Sequence, residues 1–404
     1  MNIIYVSSVC SEDKFEDLRQ KGITQKLPQA QKYHQLMIEG LRESINGNID
    51  IISAIPTNRT WSKKIYFHSE NELINNINFN YISFVNFPII GYFSKYFYAK
   101  KLIENLCKQR NNIVIICDVL NQSIADAARS IGILYHIPVI GIVTDVPGHT
   151  SAARRKAYGI IRKKLGDYAE KCAQKKVDCY DAYIFLTKEM NDVVNNHHKP
   201  YIVIEGQCDY KMINEISVEK TLPRIAMYAG GIHKELGIER MVKAFLNADC
   251  KDWELHIYGD GNYQTEIKKI TDNYENIKYF GVVGNREIVK NQQRASLLLN
   301  PRLTNYEYVK YSFPSKTLEC MVSGTPLLTT KLPGMPKEYY SYIYCFDDES
   351  QEGMEKTFRE ILNLSNETLK LKGSEAKQFV LKNKNNIIQS KKIIDFIKDN
   401  FDIE

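Results

Sequence analysis

The chain has 404 residues, more than one hydrophobic core usually serves, so two or three domains are expected. Hydrophobic residues make up 44% and charged residues 25%, which excludes a disordered, collagen-like or small disulfide-stapled chain. The net charge of +6 is mild, and with no binding module visible it argues against a nucleic-acid partner.

The first residues, Met1-Asn2-Ile3-Ile4-Tyr5-Val6, lack a basic n-region and a long apolar run. They read as a first strand and not as a signal peptide. Residues 28–45 carry apolar side chains at helical spacing, and 50–53 and 82–87 read as strands. Residues 94–108 follow as an aromatic-rich helix, then a strand at 112–117 ending at Asp118, and a helix at 122–132 closing on Gly132. A strand at 138–143 ends at Thr144-Asp145. A basic helical pattern and a strand at 182–186 complete the half. This alternation predicts a parallel sheet covered on both faces.

A polar join at 205–224 leads to a second copy of the rhythm. Strands are expected at 225–228, 254–258, 277–280, 295–300 and 325–329. Helices are expected at 237–247, 264–273, 286–294 and 314–323, and the chain closes with helical patterns at 352–362, 366–381 and 386–400. The expected organisation is α/β. One doubly wound domain spans 1–205 and a second spans 206–384, with the final helix, about 385–404, packing back on the first. Ligands in such sheets bind beyond the carboxyl ends of the strands, so the strand ends are where chemistry is sought.

No stretch of eighteen uninterrupted apolar residues occurs, so a membrane span is not expected. The nine cysteines are an odd number without a C-x-x-C pair. They read as reduced thiols of a cytosolic chain, with no metal site. From Arg154 through Lys176 the chain carries nine basic residues against Asp167 and Glu170. That patch, interleaved with Tyr158, Ile160, Ile161, Leu165 and Tyr168, suits an anionic membrane surface as well as a solvated helix face. The aromatics between Phe79 and Tyr98 suit either core or the rim of a lipid-linked acceptor site.

In the second half, Phe313-Pro314-Ser315-Lys316 marks a helix start, because proline suits the first helical position. The free amides of Ser315 and Lys316 at a positive dipole end form a ready phosphate site. Lys316 adds a full charge, and Glu319, one turn on, can accept from ribose hydroxyls. A capped surface helix with solvated Lys and Glu would look the same. Gly230-Gly231 after the first strand lets the backbone approach a diphosphate, with Lys234 nearby to neutralise it. Tyr258-Gly259 ends the next strand. Neither loop is G-x-G-x-x-G, and no G-x-x-x-x-G-K-[ST] is present, which argues against a dinucleotide oxidoreductase and a P-loop NTPase.

Taken in order, the segments 228–245 (YAGGIHKELGIERMVKAF), 255–262 (LHIYGDGN), 279–284 (YFGVVG) and 311–326 (YSFPSKTLECMVSGTP) resemble the retaining GT-B glycosyltransferases of family 4, of the bacterial polysaccharide-assembly type. The resemblance spans the chain and is strongest at 224–340. It implies two Rossmann-like domains facing a cleft and no metal or cofactor. It also implies a nucleotide-sugar donor, with a UDP-sugar favoured, and a glycan or lipid-linked saccharide acceptor. The expected setting is the cytoplasm, at the inner face of the plasma membrane. By resemblance, Gly230 and Gly231 adjoin the donor diphosphate, and Tyr258 and Gly259 border the nucleotide pocket. Gly281 and Val282 read the base edge, Glu319 holds the ribose, and Ser315 and Lys316 bind the diphosphate. Tyr311 stands where the family has the first of two glutamates with seven residues between them, and Gly231 and Leu236 stand where it has Arg and Lys. The family's acceptor-domain histidine has no direct counterpart. Asp145 and His149 lie at that strand end, and Asp145 could equally start the turn before Pro147-Gly148. Two other readings stay open: a catalytically silent scaffold of the same fold, and an inverting enzyme with Asp145 as base.

Overall fold

The structure, a computed structural model, describes residues 1–25, 28–146, 175–214 and 223–403. The chain forms two packed units: Met1–Gln207 with Asn386–Glu404, and Cys208–Asn385.

The strands of the first unit are β1 (Asn2–Ser7), β2 (Ile49–Ser53), β3 (Tyr66–Phe67), β4 (Glu70–Ile74), β5 (Ile77–Tyr81), β6 (Phe84–Val85), β7 (Ile113–Asp118), β8 (Val139–Val143), β9 (Ala182–Phe185) and β10 (Tyr201–Val203). Eight of them make one sheet in the order β10-β9-β8-β7-β1-β2-β5-β4. All pairings in it are parallel except β4 against β5. The chain winds outward from β1 in one direction through β2 and β5, and in the other through β7 to β10. The gap between β1 and β7 is therefore the switch point, where such sheets open a crevice. Strands covered on both faces must be apolar throughout, and Ile3, Ile4, Tyr5 and Val6 are accordingly all buried. The last helix, Asn386–Asn400, belongs to this unit: Ile393, Ile394 and Ile397 join its core. Asn386 Nδ2 donates to the Leu36 carbonyl at 3.3 Å and Ser390 Oγ to the Met37 carbonyl at 3.3 Å.

The second unit holds β11 (Arg224–Ala229), β12 (Trp253–Tyr258), β13 (Ile277–Gly281), β14 (Leu297–Asn300), β15 (Leu327–Thr330) and β16 (Tyr344–Phe346). They form one parallel sheet in the order β13-β12-β11-β14-β15-β16, so its switch point lies between β11 and β14. The helix Ile238–Ala248 buries Ile238, Met241, Val242 and Phe245 on one face, the i, i+3, i+4, i+7 stripe of a helix laid on a sheet.

Several elements differ from the sequence expectation. No strand spans 82–87; the sheet strand is β5, and Phe84–Val85 pairs only with β3. β5 alternates, with Ile77, Phe79 and Tyr81 buried. Its polar Asn78 is satisfied by Asp50 Oδ1 at 2.9 Å, so a strand with two asparagines is stable where a bare propensity reading rejects it. The aromatic helix starts at Pro88 rather than 94, with proline in its first turn. The helix Glu12–Gln20, absent from the expected elements, is capped by Ser11, whose side chain accepts from the Lys14 amide. Of the basic stretch only Lys175 and Lys176 lie within the described residues; the rest of it, and His149, lie outside them.

Candidate functional site

The loops after β11, β12 and β13 are knit together by backbone bonds. Gly230 N donates to the Tyr258 carbonyl at 3.0 Å, Ile232 N to the Asp260 carbonyl at 2.7 Å, and Gly259 N to the Gly281 carbonyl at 2.7 Å. Gly259 sits at φ +122°, and a Cβ built there would stand 1.8 Å from the Gly230 carbonyl oxygen. Only glycine fits a left-handed conformation with a second chain this close. The expected residues Gly230, Gly231, Tyr258, Gly259 and Gly281 are thus brought into one cluster. Beside it, the Tyr258 ring stacks on Phe280, with centroids 4.7 Å apart and planes 9° off parallel. Phe280 and Val282 remain exposed at the rim.

The helix Ser315–Val322 begins after Pro314 with no side-chain cap, and Thr317 N donates to the Pro314 carbonyl at 2.8 Å, so the amides of Ser315 and Lys316 are left without an intrahelical partner. Lys316 reaches back from this helix to the end of β11, and Nζ donates to the Ala229 carbonyl at 3.0 Å across 87 residues of sequence. A Cβ on Gly230 would lie 2.3 Å from that nitrogen. The cation therefore rests directly over the glycine turn. Desolvation of the ammonium by the surrounding strand ends lowers its pKa from the ordinary lysine value, against the opposing pull of the Glu319 carboxylate. The residue as a whole stays exposed. Glu319 is exposed one turn along. Burial pushes the Cys320 thiol up to about 12, so it stays neutral there.

Arg302, which the sequence reading passed over, completes the switch point. It follows β14 by two residues, and its charge is felt by both Lys316 and Tyr228. Its guanidinium lies 5.3 Å from the Tyr308 ring centroid, and its buried Nε has no hydrogen-bond partner. The signal available was its place, immediately after the apolar run Leu297-Leu298-Leu299 and Pro301. Tyr228, at the other flank, donates its hydroxyl to the Gly231 carbonyl at 2.8 Å. Lys234 is directed elsewhere: its Nζ pairs with Glu239 Oε2 at 2.8 Å. Tyr311 closes the turn Glu307–Tyr311 and is half-buried.

In the first unit, Asp145 lies two residues beyond β8 and is half-buried. Asp118, at the end of β7, is buried and faces inward. Its Oδ1 accepts from the Leu120 amide at 3.0 Å, and His34 Nε2 lies 3.4 Å from Oδ2. His34 in turn shares a 2.6 Å hydrogen bond with the Tyr5 hydroxyl. Asp118 thus anchors a buried polar network rather than an open site. Among the described residues, no group of three or more His, Cys, Asp and Glu is arranged to hold a metal, and no helix is long and apolar enough to cross a membrane.

Two doubly wound, parallel-sheet α/β units in one chain define the class: this is the GT-B fold. Residues 210–380, nearly the whole second unit, match the family model described as Glycosyl transferases group 1. No curated protein matches the chain. Among solved structures it is similar to a sucrose-phosphate synthase from Thermosynechococcus elongatus, with 11% identity over 99% of both chains and a TM-score of 0.64. It is similar to a trehalose-6-phosphate structure from E. coli bound with UDP-2-fluoro glucose, with 10% identity over 98% of this chain and 99% of that one and a TM-score of 0.65. It is also similar to the lipopolysaccharide outer core galactosyltransferase WaaB, with 13% identity over 99% and 100% of the two chains and a TM-score of 0.59.

Proposed function

We propose that this chain is a glycosyltransferase that moves a sugar, with retention, from a UDP-sugar to a glycan or lipid-linked saccharide, in the assembly of a bacterial surface polysaccharide. The observation that carries the reading is the position of the Lys316 ammonium over Gly230 at the switch point of a unit that matches the group 1 family. A diphosphate laid on the glycine turn would meet that cation, the uncapped amides of the Ser315–Val322 helix, and Arg302. UDP is favoured because a structural neighbour is bound with UDP-2-fluoro glucose.

In this reading the acceptor oxygen bonds to the anomeric carbon as the bond from that carbon to the diphosphate oxygen breaks. The departing phosphate oxygen takes the acceptor's proton on the same face, so no protein base is required. Fixed positive charge and helix amides stabilise the leaving group as its charge develops, which makes a metal unnecessary. Gly281 and Val282, beside the Tyr258–Phe280 stack, border the base, and Glu319 holds the ribose. Asp145 orients the sugar. The lipid-linked form of the acceptor, and a place at the inner face of the plasma membrane, are supported by Ile89, Ile90, Phe93 and Phe97, which stand exposed along the Pro88–Gln109 helix.

The second reading, a silent scaffold, is favoured by one observation: Tyr311 occupies the place of the family's first glutamate. A thermal-shift screen with UDP, GDP, ADP and CMP separates the two. Ligand at 100 times its dissociation constant stabilises the fold by about 2.7 kcal/mol. A shift with UDP that is lost in Glu319→Ala supports the enzyme. A folded protein that shifts with no nucleotide supports the scaffold.

A further inference from the structure

A cavity of ≈ 230 Å³ opens at the carboxyl edge of the first unit's sheet. Its walls come from the segments directly after β1, β2 and β7, so it sits at that sheet's own switch point, where doubly wound sheets take ligands. Ser8, Thr57, Trp61, Lys95, Asn121 and Ser123 line it. The volume holds roughly seven waters, the scale of one hexose ring rather than of a long chain.

Lys95 enters from the Pro88–Gln109 helix. Its Nζ lies 4.4 Å from the Phe84 ring centroid, and no carboxylate pairs with it among the described residues. Burial lowers its pKa below that of an ordinary lysine, the mark of a cation held without a counter-charge. The helix Gln122–Tyr135, which also lines the cavity, starts at Asn121 with no side-chain cap, and the Asn121 carbonyl takes the Ile124 and Ala125 amides, so the amides of Gln122 and Ser123 are left without an intrahelical partner. The nearby carboxylate, Asp118, is engaged by the Leu120 amide and Asn121 Nδ2. Trp61, which lines the cavity, is held by a turn in which Asn58 Oδ1 accepts from the Thr60 and Trp61 amides at 2.9 and 3.0 Å. A cation, two free amides, small polar groups and an indole are what a charged sugar needs: hydrogen bonds for its anion and apolar surface for its ring.

We propose that this cavity is an acceptor subsite for a saccharide bearing an anionic group, phosphate or carboxylate, with Lys95 binding the anion and Trp61 packing on the ring. The proposal rests on the glycosyltransferase reading and names the chemistry of its acceptor.

The chain has two tryptophans, Trp61 and Trp253, and Trp253 is buried in the second unit with Nε1 bonded to the Leu362 carbonyl. Labelling the full chain with 5-fluorotryptophan therefore gives one fluorine signal in the cavity and one remote control. Glucose 6-phosphate, glucuronate, inorganic phosphate and glucose are titrated separately, and UDP affinity is measured on the same samples. At least one of the two anionic sugars should shift the Trp61 signal saturably and leave Trp253 unmoved, and the pair tells phosphate from carboxylate. Lys95→Met should weaken that binding about tenfold, the effect of one charge-assisted bond, and Lys95→Arg should restore it, with UDP affinity unchanged in both. Three results overturn the subsite: neither anionic sugar binds although UDP does, glucose or bare phosphate binds as tightly as the charged sugars, or Lys95→Met keeps full affinity in a folded protein. Sugar binding without any UDP binding would instead leave the subsite standing and remove the donor reading.

Discussion

Adding one methyl group at Gly230 tests whether the Lys316 ammonium is placed to meet a diphosphate. The new Cβ would stand 2.3 Å from Lys316 Nζ and 2.7 Å from the Tyr228 hydroxyl. Gly230 has no positive φ, so alanine is tolerated by the backbone and the perturbation is local. An ordinary contact needs about 3.5 Å, so the flexible lysine must retreat by about 1 Å. At an effective dielectric of about 20, opposite unit charges attract by about 5.5 kcal/mol at 3 Å and about 4.2 kcal/mol at 4 Å. The difference, about 1.4 kcal/mol, is tenfold in affinity. Titration calorimetry with UDP should therefore show about tenfold weaker binding in Gly230→Ala, with a melting temperature within a few degrees of wild type. The double variant Gly230→Ala, Tyr228→Phe separates the two contacts. If removing the tyrosine hydroxyl restores affinity, the clash with Tyr228 was the cause. Unchanged UDP binding in Gly230→Ala would refute the placement of the cation.

Lys316→Ala should lower kcat about tenfold or more at saturating donor, on the order of 1.4 kcal/mol of transition-state stabilisation; full turnover would remove its leaving-group role. The working form of Lys316 is the charged one and its pKa is lowered, so kcat/KM should fall as pH rises through a value below that of an ordinary lysine. Lys316→Arg should move that alkaline limb upward, and a limb that stays in place assigns it to another group. Gly259→Ala meets both a left-handed φ and a carbonyl oxygen at 1.8 Å. It should cost about 2 kcal/mol or more, read as an early unfolding transition of the second unit, and a wild-type denaturation curve would contradict the knit of the three loops. Asp145→Asn should leave measurable turnover with the anomeric configuration of the donor kept; near-total loss with an inverted product would instead make Asp145 the base.

The rhythm of the chain was readable without coordinates because buried parallel strands must be apolar along their whole length, as Ile3 to Val6 and Leu297 to Leu299 are. The glycine turn and the Pro314-Ser315-Lys316 start were likewise visible, since a tight turn and a helix N-terminus each demand particular residue types. β5 and the Glu12–Gln20 helix were not seen, because their polar residues are satisfied by partners distant in sequence or by a single cap. The sequence by itself determined most of the strands and helices and the residue types each loop carries. Only the tertiary structure decided which loops meet. Strand order places β14 beside β11, which sets Arg302 and Lys316 at the glycine turn and leaves Lys234 with Glu239. It also draws the helix Asn386–Asn400 into the first unit and gathers Ser8, Thr57, Lys95 and Ser123 around one cavity. These outcomes depend on the direction in which the chain winds from each central strand, and that is settled by the packing of whole elements against one another, which no short stretch of sequence encodes.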